Sequence, residues 1–150
     1  VLPVPTEDVW AHASSMRGVN AELWPIHMSH PKRRFLEASV PLGIVLFRSV
    51  ITLFRVIPLD VHALRLLAIA PGESFHEDSS SWTEARWVHK RRLAPEGNGT
   101  RITDLVTFTP RYLFLAPILA ATVRRTFARR HAYLRKRFGG TGDALTFERR

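Results

Sequence analysis

Two runs of alternating residues, joined by a Gly-Asn-Gly turn signal, constrain the fold more than any other feature of the sequence. The alternate residues are Trp87, His89, Arg91 and Leu93 in the first run and Ile102, Asp104, Val106 and Phe108 in the second. Successive residues of a strand point to opposite faces of a sheet, so each set lies on one face of its own strand. The Asn98-Gly99 pair between the runs is typical of a hairpin turn. The sequence therefore predicts an antiparallel hairpin here.

The register of this hairpin follows from its apolar residues. Pairing Leu93 with Ile102 brings the apolar side chains of both strands together on one face, and a slip of one residue would turn one strand's set to the other face. The opposed pairs are then Arg91 with Asp104, His89 with Val106, and Trp87 with Phe108. The predicted face is thus apolar and charged at once.

After Pro110 the apolar residues no longer alternate with polar ones but recur every three to four residues. Apolar residues recur from Leu115 to Phe138, and Gly139-Gly140 follows as a stop signal. This spacing predicts one amphipathic helix of about 24 residues. At roughly 100° per residue, His131 lies about 40° from Phe127 and falls inside the apolar stripe, which Arg130 flanks.

The segments before the hairpin predict a mixture of short helices and strands. We expect a helix from Thr6, its N-cap, to Gly18, and a second short helix that ends before Pro25. Residues 25–43 indicate a loop or an irregular edge strand, and residues 43–57 a strand covered on both faces. The next strands are predicted at 61–70, 75–82, 85–94 and 100–109, with "IPLD" (57–60) as a turn, and the opening residues resemble the remnant of a strand.

Length and composition predict one folded domain, over residues 1–140, with a flexible tail at 141–150. A chain of 150 residues can bury a core of its own. It has no cysteine, which excludes disulfides, thiolate metal sites and cysteine nucleophiles and is typical of a cytoplasmic protein. The start lacks the pattern of a signal peptide, and Arg48 and Arg55 interrupt the most apolar stretch, which disfavours a transmembrane helix.

The net charge of +9 is concentrated in the predicted C-terminal helix. Its basic residues include Arg124, Arg125, Arg129, Lys136 and Arg137. They form either a solvated helix face or a surface that binds an anionic membrane. Nucleic acid is disfavoured as a partner, because Phe127 and Phe138 fall on the buried stripe and no exposed aromatic residues alternate with the basic ones.

The charged residues on the apolar face of the sheet are the main functional signal. Glu77, on the strand before the hairpin, falls near His89, and His131 joins them from the helix. An isolated buried charge costs several kcal/mol, so these groups either pair with one another or line a wet cavity. Two interpretations follow: a polar patch that orients a mostly apolar ligand, or a network that satisfies itself through Arg91 with Asp104 and Glu77 with His89.

The order of several strings, rather than any single motif, carries a family resemblance. "GVNAELWP", "FHEDSSSW", "RWVHKR", "TRITDLVTFTPR" and "FARRHAYLRKRFG" together resemble the START/polyketide-cyclase superfamily (SRPBCC), over about Leu2 to Gly139. The resemblance implies an α+β helix-grip fold, in which a curved antiparallel sheet wraps around a long C-terminal helix. It also implies a hydrophobic cavity between sheet and helix. Two short helices would lie near its mouth, the second carrying Asn20 and Glu22.

Three functional hypotheses follow. The first is binding or carriage of a hydrophobic small molecule, such as a lipid, a quinone or a polyketide. Its predicted ligand-binding residues are Glu77, Trp87, His89, Arg91, Asp104, Phe108, Phe127 and His131. The second is a cyclase/aromatase-like or dehydratase-like enzyme, with His89 or Glu77 as general acid or base and Arg91 stabilising an enolate. The third is attachment to an anionic membrane through the basic helix.

Neither a metal nor a cofactor is predicted. His27 and His30 are spaced like metal ligands but lack a third ligand at a suitable position. The serine run 79–81 lacks the strained turn of a hydrolase nucleophile, and no phosphate-binding or dinucleotide-binding loop occurs.

Overall fold

The computed structural model describes residues 1–31 and 39–141. Two helices come first, α1 (Thr6–Ala13) and α2 (Met16–Leu23). The strands are β1 (Ile26–Met28), β2 (Val45–Leu53), β3 (Ile57–Ala70), β4 (Ser74–Ser81), β5 (Glu84–Glu96) and β6 (Gly99–Pro110). A short 3-10 turn, Leu113–Leu115, leads into α3 (Ala116–Phe138).

The strands form one six-stranded antiparallel sheet in the order of the sequence. Register shifts interrupt the pairing of β2 with β3, of β3 with β4 and of β5 with β6. Such irregularities bend a strand and increase its twist, which curves the sheet. Phe127 of α3 packs against Trp87 and His89 on the concave face of the sheet. The predicted α+β helix-grip arrangement is therefore confirmed.

The predicted hairpin register is confirmed pair by pair. Leu93 pairs with Ile102, and the three other predicted pairs follow from β5 to β6. The turn itself differs from the prediction, because Glu96 pairs with Gly99 and the two central residues are Gly97 and Asn98. Gly97 has a φ of +58°, a left-handed conformation that glycine adopts without steric cost.

The strand predicted at 43–57 is wrong in its end and in its burial. β2 ends at Leu53, and "IPLD" is the start of β3 rather than a turn. The turn lies at residues 54–56. Val45 and Val50 are exposed, so β2 is not covered on both faces. The reason is that the described helices pack on one face of the sheet only, which leaves alternate strand positions in solvent.

The two N-terminal helices divide at a different residue from the one predicted. Pro5 rather than Thr6 is the N-cap of α1, which ends at Ala13. Ser15 then caps α2, because its hydroxyl accepts a 3.0 Å hydrogen bond from the Gly18 N–H. Gly18 thus lies within a helix instead of breaking one. A Cβ at this position would come within 2.0 Å of the His12 carbonyl oxygen, so glycine allows α1 and α2 to approach closely.

The C-terminal helix is confirmed, with 23 residues in α3 and Gly139 as its C-cap. Gly139 has a φ of +77°, and its N–H donates to the Arg135 carbonyl. Arg124, Arg125, Arg129, Lys136 and Arg137 are exposed. No helix within residues 1–31 and 39–141 has the length and apolar character needed to cross a bilayer.

The start of the chain closes the core next to β6. Leu2 pairs with Thr100 through two backbone hydrogen bonds of 2.8 Å, which confirms a short strand-like segment there. Leu2 packs with Val9, Leu93 and Leu134 in one apolar cluster. Part of the predicted loop, residues 32–38, and the predicted tail from residue 142 onward lie outside the described residues.

Candidate functional site

Arg91 is the centre of a buried ion network between the sheet and the helices. Its guanidinium donates to both carboxylate oxygens of Asp104, at 2.8 and 2.9 Å. It donates with its other edge to both oxygens of Glu22, at 3.1 and 3.2 Å. Arginine offers several donors in a planar array, and here two bidentate pairs use them together. The Arg91 side chain is 1% exposed, so both pairs are shielded from water.

Three further side chains join this group, which we call the Arg91 network. Arg130 of α3 donates to Glu22 at 2.9 Å, and His89 and His131 bond to the two oxygens of Asp104 at 2.7 and 2.9 Å. The network thus connects α2, β5, β6 and α3. Arg130 was predicted to flank the apolar stripe, but it is buried because Glu22 pairs with its charge and Phe127 lies under its guanidinium.

The network holds its carboxylates ionised. Burial alone would raise the pKa of Glu22, but the charges of Arg91 and Arg130 outweigh it and hold that pKa well below the usual range. Burial acts in the same direction on Asp104, where Arg91 and then the bonds from His131 and His89 lower the pKa. These acids therefore stay ionised to a lower pH than ordinary carboxyl groups do.

A second polar group lies farther along the concave face. His62 bonds to Glu77 at 2.7 Å, and Ser79 donates to the same carboxylate at 2.7 Å. Against the effect of burial, the hydrogen bond from His62 and the nearby His89 imidazole lower the pKa of Glu77. Nearby Glu84 differs, because burial raises its pKa to about 7. The charge of His62 has a smaller effect that lowers this pKa, and the charges of Asp60 and Glu77 raise it further. Sequence reasoning identified neither His62 nor Glu84.

The predicted site residues are brought together, but their pairing differs in part from the prediction. Arg91 pairs with Asp104 as expected, whereas His89 bonds to Asp104 and stands 3.8 Å from Glu77. Trp87 lies against Phe127 and pairs with Phe108 across the hairpin. These contacts match the self-satisfying network, one of the two interpretations. Contact of these side chains with a ligand stays a prediction.

A cavity of about 630 Å³ lies beside this interior, towards the edge strand β1. Its walls are formed by α2, the segment through β1, the β2–β3 turn and the second half of α3. The lining residues are Arg17, Asn20, Ala21, Glu22, Trp24, His27, His30, Arg55, Arg129 and Tyr133. Asn20 and Glu22, which were predicted near a cavity mouth, are thus part of its lining, whereas the eight residues predicted to bind the ligand are not.

Two local features hold the cavity walls in place. The Asn20 amide donates to the Met28 carbonyl at 3.0 Å and accepts from the Met28 N–H at 2.8 Å. In this way the side chain acts like a neighbouring strand and fastens α2 to β1. Glu22, two positions further along the helix, is fixed by the Arg91 network. The cavity is therefore bounded by a helix that is anchored at two separate contacts.

The cavity is electropositive. Arg17, Arg55 and Arg129 have no acidic partner among the described residues, and the charge of Glu22 is already matched by Arg91 and Arg130. Burial, and then the charges of Arg55 and His30, lower the pKa of His27. The contributions of Arg55 and His30 to this lowering agree with a positive potential in the cavity, although burial is the larger cause.

Most of the cavity residues were missed by sequence reasoning. Residues 17, 20, 21 and 24 follow the spacing of one helix face, and 129 and 133 are one helical turn apart. That spacing could have grouped them, but nothing in it shows that the two helix faces meet. His27 and His30 were weighed only as metal ligands. Among the described residues, no cluster of three suitable side chains could hold a metal ion.

One family model matches the sequence over residues 1–138, and its description is "Domain of unknown function (DUF8410)". The chain belongs to the DUF8410 family. No curated protein matches the sequence. For this DUF8410 chain, the remaining similarity is to solved structures.

Several solved structures share the fold at low sequence identity. CV1439 from Chromobacterium violaceum has a TM-score of 0.65 at 14% identity, with 94% of each chain covered. TTHA0849 from Thermus thermophilus has a TM-score of 0.59 at 16% identity, with 91% of each chain covered. DynU16, described as a protein in the dynemicin biosynthetic locus, has a TM-score of 0.56 at 16% identity; the match covers 91% of the DUF8410 chain and 45% of DynU16. At these identities the likeness establishes the fold.

Proposed function

We propose that this DUF8410 protein binds a hydrophobic small molecule that carries an anionic group, and that it does so in the cavity between α2, β1 and α3. The observation that carries the proposal is the cavity itself. Its volume of about 630 Å³ falls in the range of small-molecule sites. Such sites combine apolar walls with a few polar groups that orient the ligand.

The lining indicates the chemistry of the ligand. Trp24, Tyr133 and Ala21 offer aromatic and aliphatic surface to an apolar body. Arg55 and Arg129 offer guanidinium groups, which bind carboxylates and phosphates in a bidentate manner. Among the residues that the structure describes these cations have no acidic partner, and an anionic ligand would supply one. We therefore infer an amphipathic acid, such as a fatty acid, a lipid phosphate or an acidic polyketide.

The resemblance to the START/polyketide-cyclase superfamily supports binding of this kind. DynU16, which shares the fold, is described as a protein in the dynemicin biosynthetic locus. Binding without chemistry is better supported than the enzymatic alternative. His89 and Glu77, the predicted acid–base pair, bond to Asp104 and to His62 and do not line the cavity.

A fluorescence titration tests the proposal. A dansyl-labelled fatty acid serves as the probe, and its methyl ester serves as the uncharged counterpart. We expect the acid to bind more tightly than the ester. Arg129→Gln should weaken binding of the acid by about tenfold, because a hydrogen bond to a charged group contributes roughly 1.5–3 kcal/mol.

Arg124→Gln is the matched control, since Arg124 is exposed on the same helix and does not line the cavity. It should leave the affinity unchanged. Equal affinities for acid and ester, or equal losses in the two arginine variants, would contradict the proposal. Native mass spectrometry of protein purified from its own host would then identify the chemical class of any bound molecule.

A further inference from the structure

The β2–β3 turn carries an unusual set of exposed apolar side chains. Phe54 is 54% exposed, Val56 is 77% exposed, and Ile57 follows at the start of β3, also exposed. Trp24, at the end of α2, is exposed as well, and its ring lies 5.9 Å from the Phe54 ring in an edge-to-face arrangement. We call these four residues the apolar tip. Arg55 lies in its middle.

The backbone of the tip adopts a conformation that its residues disfavour. Phe54 and Arg55 have φ values of +52° and +61°, and the Val56 N–H donates to the Leu53 carbonyl to close the turn. Two successive left-handed residues form a turn that normally takes Asn and Gly, because a Cβ is strained there. Persistent strain of this kind occurs at functional sites, where the side chains matter more than the stability they cost.

The tip adjoins the cavity. Trp24 and Arg55 belong to both, since they line the cavity and also form part of the exposed turn region. Whatever surface covers Phe54 and Val56 would therefore stand next to the cavity. A ligand leaving that surface could pass Trp24 and Arg55 without crossing bulk water.

We propose that the apolar tip docks onto an anionic lipid bilayer, so that the cavity exchanges its ligand with the membrane. This rests on the proposed function, because the exchanged molecule is the amphipathic acid. The composition of the tip fits an interface with lipid: Phe54 and Val56 suit the boundary of the acyl chains, while Arg55 suits the phosphates above it. The net charge of +9 draws the protein to an anionic surface.

A second exposed apolar segment provides an internal control. Leu113 is 84% exposed and lies just before Ala116, the first residue of α3. Arg129, which lines the cavity, is about 20 Å further along the same helix at a rise of 1.5 Å per residue. Leu113→Asn therefore removes apolar surface away from the cavity. Phe54→Asn removes it at the tip and at the same time relieves strain, because asparagine tolerates left-handed backbone.

The experiment measures co-sedimentation with vesicles of equimolar phosphatidylcholine and phosphatidylglycerol, and with phosphatidylcholine alone. We expect binding to the mixed vesicles, little to phosphatidylcholine, and a decrease with salt. Phe54→Asn and Val56→Ser should each weaken partitioning, the first by about tenfold. Leu113→Asn should not change it. The Tm of Phe54→Asn should equal or exceed that of the unmodified protein, which a structural role for Phe54 would not produce.

Three results would overturn the proposal. The first is unchanged vesicle binding in both tip variants, and the second is an equal loss in Leu113→Asn. The third is a dimer in solution that the tip variants dissociate, which would assign the tip to a second copy of the chain.

The dansyl fatty acid, titrated without vesicles, separates docking from ligand binding. Vesicle binding without probe binding would refute the proposed function and leave docking intact, and the tip variants should lose only vesicle binding.

Discussion

Arg91 of β5 and Glu22 of α2 stand 69 positions apart in the chain and are joined by two buried hydrogen bonds of 3.1 and 3.2 Å. This pair fixes a short helix to the concave face of the sheet. One face of the same helix lines the cavity through Arg17, Asn20 and Ala21. The buried ion pair therefore determines the shape of the candidate site, although Arg91 does not line it.

Removing Arg91 should destabilise the protein strongly. In Arg91→Met the carboxylates of Glu22 and Asp104 stay buried without their main partner. Breaking a buried ion pair from one side costs about 3–5 kcal/mol, because an uncompensated charge is left behind. Urea denaturation measures the free energy of unfolding, and we expect a loss of at least about 3 kcal/mol for this variant.

The exposed pair of Arg101 and Glu96 provides the control for this prediction. Its side chains are 57% and 40% exposed, so water screens the interaction. Glu96→Ala should leave the free energy of unfolding nearly unchanged, because an exposed ion pair contributes little. Similar losses in Glu96→Ala and Arg91→Met would show that the Arg91 network contributes little more than a surface pair.

The hairpin of the sheet could be predicted from the sequence, because its pairing depends on residues that are close together in the chain. A period of two assigns each residue of β5 and β6 to a face, and only one register unites Leu93 with Ile102 and the other apolar residues. The approach of Arg91 to Asp104 follows from that register alone. The long helix likewise follows from its period and its terminal glycines.

The candidate site could not be predicted in the same way, because it depends on contacts between distant segments. Nothing local to Glu22 shows that it meets Arg91 and Arg130. Arg130 counts as a polar residue in any helical pattern, and its burial becomes favourable only once Glu22 is opposite. The alternation of residues along a strand predicts which face of the sheet holds His89. It does not predict whether a ligand or another side chain fills the space in front of that residue.

Glu84 should make the protein less stable as the pH rises from about 4.5 to 7. Its carboxyl has a pKa of about 7 in the folded state and ionises near 4.5 when unfolded. The folded state therefore keeps a proton that the unfolded state releases, and the free energy of unfolding falls between about pH 4.5 and 7. A shift of this size corresponds to about 3 kcal/mol. Urea midpoints recorded from pH 4.5 to 8 measure the effect, and Glu84→Gln should flatten the curve.

The carboxylates with lowered pKa values should act in the opposite direction at low pH. Glu22, Glu77 and Asp104 have folded pKa values below their unfolded ones, so their stabilisation is present above about pH 4 and is lost as the pH falls further. Stability should thus be greatest at mildly acidic pH. His62 adds to the loss at higher pH: although burial lowers its pKa, the bond and charge of Glu77 raise it overall. A steady rise in stability from pH 5 to 8 would contradict this account.

His27 should report the charge of the cavity. Burial, Arg55 and His30 lower its pKa, so removing a positive charge or adding a negative one should raise it. We expect Arg55→Gln to shift the imidazole titration of His27 upward in an NMR pH series, and a saturating fatty acid to shift it in the same direction. Arg124→Gln is the control and should leave it in place. Because a bound apolar chain also buries His27, the methyl ester is the reference, and a His27 pKa no higher with the acid than with the ester would show that the anionic group binds elsewhere.

Gly18→Ala should destabilise the protein, although alanine normally favours a helix by about 1 kcal/mol over glycine. The new Cβ would stand 2.0 Å from the His12 carbonyl oxygen, a backbone atom that can move only if α1 moves with it. Overpacking of this kind costs about 1–3 kcal/mol, which outweighs the gain in helix propensity. Because α2 would shift with its cavity-lining face, affinity for the dansyl fatty acid should fall as well.

Gly72→Ala is the comparison. A Cβ at Gly72 meets nothing within 4 Å, and the φ of this residue is +85°. The variant should therefore lose stability from backbone strain alone and keep its affinity for the probe.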